Sequence, residues 1–176
     1  MRYEAIALIA GSIGLAVYWF GTTLFFGWGG IFGYGAILVL STLVLIYGIA
    51  GWYRASRDRW TGRAHAMVLA GVLLTAIGLV STPVISAIGM ALVFTGSLRA
   101  EGRFPAELAV ILAGAVVLGI EHEQYGALAA IRNDAPLPAG TPLETVRWLA
   151  GTGIVAMAIG WTWLGIDLAR RHRADT

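Results

Sequence analysis

No charged side chain occurs between Ala5 and Tyr53, and none between Ala64 and Leu98. A soluble amphipathic helix keeps a polar or charged face toward water. Runs this long without one suit helices whose outward face meets lipid, where a span needs about 20 apolar residues. The first run therefore holds two spans and a turn. The second, as one helix at ~1.5 Å per residue, would reach about 52 Å against a hydrocarbon core of about 30 Å, so it too must be broken. Only 12% of the chain is charged, about half the fraction of a typical soluble domain, so the remainder belongs to the same class.

The breaks can be read from local chemistry. The glycine-rich stretch Gly27 to Gly35 divides the first run. In the second, Ser81-Thr82-Pro83 places an N-cap hydroxyl before a proline at the first helical position, a restart signal. Thr141-Pro142-Leu143-Glu144 is a capping box with proline at its first helical position. These marks predict an all-α integral membrane bundle, one transmembrane domain over 1–176. Its six spans fall near 5–26, 35–53, 64–81, 83–98, 105–121 and 148–168, with an external loop over 121–147. Spans three and four form a short hairpin, with a re-entrant pair as the alternative. The amino-terminal run is read as an uncleaved first span, since it exceeds a signal-peptide core and no small-x-small cleavage site follows. Trp28, Tyr34, Trp52 and Tyr53 are placed as interfacial aromatics.

Charge sets the orientation. All twelve basic residues are arginine. Arg2, the loops 54–63 and 99–103 and the tail hold ten of them, and only Arg132 and Arg147 fall on the opposite side. Under the positive-inside rule both termini are cytoplasmic, in a multi-pass protein of the plasma or inner membrane. The net charge of +2 reflects these loops and gives no reason to expect nucleic acid. The absence of lysine excludes Schiff-base chemistry, and the absence of cysteine excludes disulfides, thiolate metal sites and thiol redox chemistry.

Small residues four apart recur at Ala7/Gly11, Ala10/Gly14, Ala66/Ala70, Ala87/Ala91, Ala115/Gly119 and Ala156/Gly160. Such pairs let membrane helices approach closely. The triplets Ala76-Ile-Gly78, Ala87-Ile-Gly89 and Ala158-Ile-Gly160 echo one another, and spans 1–3 and 4–6 as inverted halves would have the geometry of some transporters. Hydroxyls within the spans, including Ser12, Ser41, Thr42, Thr75, Ser86, Ser97 and Thr162, can bond back to their own helix.

Two groups of residues could carry chemistry. Glu107, Gly114 and Glu121 share one face of span five at seven-residue intervals, as do Gly153, Gly160 and Asp167 on span six. Acids at membrane depth are costly and usually functional. Glu107 and Asp167, near the inner ends, also have local ion-pair partners within reach, Arg103 for the first and Arg170 or Arg171 for the second. The outer cluster Glu121, His122, Glu123 and Tyr125 contains metal-ligand and proton-accepting types. Successive helical residues point about 100° apart, so an ion there needs ligands from elsewhere, such as Asp134 or Glu144. A solvated helix end is the simpler expectation. The zinc-peptidase pattern fails because Gly126 stands where its second histidine belongs. His65 and His172 are placed at the interface or in solvent. Phe32-Gly-Tyr-Gly35 contains the Gly-Tyr-Gly of potassium filters, without room for a pore helix before it or an acid after it.

No nucleophile elbow, phosphate loop or dinucleotide fingerprint is present, so no catalytic residue, cofactor or metal is expected. The leading expectation is a non-enzymatic membrane protein, a subunit or accessory of a membrane assembly or a self-associating bundle. Its partners would be the bilayer and either a second copy or another membrane protein. The alternative is a small transporter or channel for a neutral or apolar solute. An intramembrane enzyme built on the outer Glu/His cluster ranks third.

Overall fold

The computed structural model describes residues 2–24, 31–102, 104–125 and 143–174. Among them there are six α-helices and no strand: α1 (Arg2–Leu24), α2 (Ile31–Ser56), α3 (Gly62–Val80), α4 (Pro83–Glu101), α5 (Ala106–Tyr125) and α6 (Leu143–Ala174), with a short 3-10 turn at Arg57–Arg59. Four of them, α2, α3, α4 and α6, are long and apolar enough to cross a membrane. Helix α5 carries Glu107, Glu121 and Glu123 within its 20 residues.

The boundaries follow from the residues. Helices α3 and α4 have 19 residues each, about 28 Å of rise, close to a full ~30 Å crossing. They are separated only by Ser81 and the extended Thr82, after which Pro83 begins α4, the position its fixed φ suits. Helix α4 ends on Gly102 in the left-handed conformation (φ 65°), whose N–H bonds the Leu98 carbonyl at 3.1 Å, a termination that glycine alone adopts without cost. Helix α2 starts four residues earlier than its expected span. Ile31 to Gly35 are helical, which shortens the glycine turn and rules out an extended filter at Phe32 to Gly35. An isolated glycine costs a helix only about 1 kcal/mol, and continuation into the strongly apolar segment behind offsets that. Helix α6 begins at Leu143, inside the expected capping box, whose Thr141 and Pro142 lie outside the described residues. It carries the basic tail as helix as far as Ala174.

The helices pack as three consecutive hairpins, α1/α2, α3/α4 and α5/α6. Helix α6 also lies along α1, and α4 along α5, whereas α2 meets α3 only sparsely. Units of helices 1–3 and 4–6 are therefore not the packing units.

Each hairpin is closed by a reciprocal glycine seam. A Cβ on Gly11 would lie 2.6 Å from the Leu45 nitrogen, and one on Gly48 would lie 2.7 Å from the Leu8 nitrogen. In α3/α4 the same test puts Gly71 at 2.6 Å from the Gly89 carbonyl oxygen, and Gly89 at 2.7 Å from that of Gly71. In α5/α6, Gly114 meets the Gly153 oxygen at 2.6 Å and Gly153 meets the Gly114 oxygen at 3.0 Å. Membrane helices gain little from burying apolar surface against each other, so backbone approach of this kind supplies their attraction. The glycines of the three Ala-Ile-Gly triplets, Gly78, Gly89 and Gly160, all sit against a neighbouring helix, which explains the echo as packing.

One apolar cluster joins the hairpins, from Leu8, Leu45 and Ile49 through Val68, Met90 and Val93 to Leu108, Ile111, Trp161 and Leu164. The outward faces are as apolar as the core. Leu69, Leu73, Ile77 and Val80 run down α3, and Val155, Ile159, Trp163 and Ile166 down α6, all exposed. A continuous exposed stripe of this kind suits lipid contact and not water.

Candidate functional site

A cavity of about 530 Å³ lies among all six helices, within the range of small-molecule pockets, about 300–1,000 Å³. It sits toward the end of the bundle where α3 turns into α4 and α5 terminates. Helix α1 contributes Ser12 and Tyr18, α2 Val39 and Thr42, and the α3/α4 corner Gly78 to Ser86. Ala115 to His122 of α5 and Ile154 to Trp161 of α6 complete the wall. No Asp, Glu or Arg side chain is among its described lining residues.

Three of the lining residues carry a buried polar atom that lacks a hydrogen-bond partner: Ser86 Oγ, Trp161 Nε1 and His122 Nδ1. Ser86 is 3% exposed and Trp161 2%. Their positions follow from the helices that carry them. Ser86 sits one turn after the Pro83 restart and packs by its backbone on Gly78 of α3. Trp161 follows Gly160, whose missing side chain lets α6 approach α5 at Ile111. A buried hydroxyl or indole N–H without a partner is unfavourable by roughly 1–3 kcal/mol. Trp161 can only donate and Ser86 can donate or accept, while the tautomer decides for His122. The residues around the cavity thus hold at least one donor and one acceptor in apolar surroundings. Another wall hydroxyl is satisfied: Ser12 donates to the Ile9 carbonyl at 2.9 Å and meets Thr162 Oγ1 at 3.2 Å, tying α1 to α6.

The residues singled out from the sequence fall into separate places. Glu121 is fully buried, at 0% exposure, which corrects the solvated helix end expected there. Glu123 beside it is exposed and His122 half-buried, because α5 turns only part of its final turn toward solvent. The Tyr125 side chain, Asp134 and the Glu144 side chain lie outside the described residues. Asp167 forms an ion pair with Arg171 one turn on, as its spacing implied, while Arg103, the partner expected for Glu107, lies outside the described residues. Glu107 is half-buried near the opposite end of α5 from the cavity, its backbone oxygen 3.0 Å from a Cβ built on Gly160. Neither Glu107 nor Asp167 lines the cavity. Among the described residues, no group of three or more His, Asp or Glu side chains could hold a metal ion.

Two other expectations change. Thr75, Ser86 and Ser97 do not bond back to their helices; their hydroxyls are buried without a partner, since each lies where two helices press together. His65 is held by a 2.6 Å hydrogen bond with the Tyr53 hydroxyl. Tyr53 stacks on Trp60, which packs in turn on Trp52. Trp52, placed as an interfacial aromatic, is only 7% exposed and belongs to the core. The sequence reading did not single out Trp161 and counted Ser86 among ordinary span hydroxyls. A usable signal was present in Trp161, a tryptophan in mid-span and away from the interfacial belts where the residue concentrates. Comparison of the chain with protein-family models, with curated proteins and with solved structures finds no match.

Proposed function

We propose that the chain is a six-span protein of the plasma or inner membrane, with both termini cytoplasmic, that binds and passes a neutral, mostly apolar small molecule. The single observation behind this reading is the cavity shared by all six helices, with Ser86, Trp161 and His122, each carrying a buried unpartnered polar atom, among its lining residues. An uncharged lining disfavours an ion as cargo, because a desolvated charge would find no counter-charge. The arginine distribution puts the cavity in the outer half of the membrane. The subunit or self-associating reading draws on the exposed apolar stripes, but lipid contact alone accounts for those. The full crossing of α3 and α4, in place of a re-entrant pair, is supported by their 19-residue lengths.

The test is photolabelling of the purified protein in lipid nanodiscs with an octanol that carries a diazirine. Saturable adducts on peptides containing Ser86 or Trp161, competed by plain octanol and lost in Ala115→Trp, are expected. Labelling confined to lipid-facing residues, proportional to probe and indifferent to competitor, would sink the reading.

A further inference from the structure

The wall of the cavity is not uniform. Its back, from α5 and α6, is closed: Ala115 is 1% exposed, Trp161 2%, Leu118 7% and Met157 8%. Its front, from α2 and α3, is open: Val39 is 57% exposed, Leu43 58% and Val80 53%, yet all three line the cavity. This is also where the packing is thinnest, since α2 and α3 barely touch. The two helices are held together at the other end, by the Tyr53–His65 hydrogen bond and the Trp60 stack. They therefore diverge from that end toward the cavity.

The rim of the opening identifies what it faces. A mouth meeting water would be edged with polar side chains. Here the described edge is Val39, Leu43 and Val80; of the hydroxyls beside them, Thr42 is buried and Ser81 donates to the Ile77 carbonyl at 2.7 Å. Satisfying every polar group from within is what hydrocarbon demands of a surface. The interior polar atoms behave oppositely, being buried and unpartnered at Ser86 and Trp161.

We propose that the cavity is loaded sideways from the bilayer, between α2 and α3, by a neutral single-headed amphiphile. Its hydroxyl or carbonyl head bonds Ser86 and Trp161, and its aliphatic body trails toward the Val39–Val80 opening. This rests on the ligand-binding reading above and adds to it the route and the chemical class of the ligand.

The experiment uses the same diazirine octanol, now dissolved in the vesicle lipid before protein is incorporated, with labelling followed over time. Leu43→Trp combined with Val80→Trp fills the opening from positions that face lipid. Fast labelling of the Trp161 peptide should be lost. Ile159→Trp, on the lipid face of α6, should label like the native chain. Thermal unfolding confirms that each variant is folded, and Leu43→Trp alone replaces the pair if the double variant is not. An unchanged labelling rate in the portal variants overturns the sideways route while leaving the cavity reading intact. Absence of saturable labelling in the native protein overturns the cavity reading itself. For the head group, octanol should compete better than octane in the native protein, by roughly three- to tenfold for one hydrogen bond. That preference should shrink in Ser86→Ala. Equal competition by octanol and octane in the native protein would refute the single-headed class.

Discussion

Two kinds of helix junction hold this bundle together, and they differ in what they depend on. Within α1/α2, α3/α4 and α5/α6 the backbones touch through glycines along the helix, so contact extends over their length. Between α2 and α3 the described glycines form no such seam. Contact is gathered at one end, in the ring stack of Trp52, Tyr53 and Trp60 with His65, and the 3-10 turn beside it is tied to the end of α4 by Arg59 and Glu101 at 3.9 Å. A seam resists separation everywhere, whereas an end clasp leaves the far ends of its helices free to part. The cavity opens at the junction that is clasped and not seamed.

The comparison can be broken most severely at a seam. Gly114→Leu puts a branched side chain against the Gly153 carbonyl, where nothing flexible can move aside, and we expect no folded protein by size-exclusion profile and helical content. Trp60→Ala strikes the clasp. It removes a side chain only 2% exposed and should lower stability by about 3–5 kcal/mol, seen as a fall in unfolding midpoint with the hairpins still helical. Tyr53→Phe deletes only the bond to His65 and should cost about 0.5–1.5 kcal/mol by the same measurement. If it matched Trp60→Ala, the hydrogen bond and not the stack would be the clasp. Asp167→Asn breaks an ion pair with Arg171 that lies away from both junctions. Such partly exposed pairs are worth about 0.3–0.5 kcal/mol, so the midpoint should barely move. The smallest effect belongs to Leu40→Ala, on the lipid face at 62% exposure, expected within about 0.5 kcal/mol.

How much of this could be read from the chain depends on whether the signal is local. The α3/α4 corner was legible because proline and its preceding hydroxyl act on their own neighbours, and so was the Asp167–Arg171 pair, one helical turn apart. The glycine seams were half legible. The spacing marks glycines that can approach a partner, but not which helix the partner is, so Gly71 against Gly89 and Gly114 against Gly153 had to come from the fold. The cavity was not legible. Ser86 and Trp161 are 75 residues apart in sequence and look like span residues until two hairpins bring them to one wall. Glu121 misled for a related reason. Its sequence neighbours His122, Glu123 and Gln124 suggest a wet helix end, yet side chains on one helical turn point in different directions, and Glu121 points inward.

The length of α6 has a mechanical consequence. From Trp148 to Arg171 it runs 24 residues, about 36 Å, which exceeds a ~30 Å hydrocarbon core. A rod of that length can cross such a slab with some tilt, as membrane helices do. Its ends are marked by an exposed Trp148 and by the Arg170–Arg171 pair, groups that hold to the interfacial layers. Its lean is one way in which a thinner or thicker bilayer is accommodated. Met157 and Trp161 ride on it, so a change of lean carries two residues of the cavity lining with it.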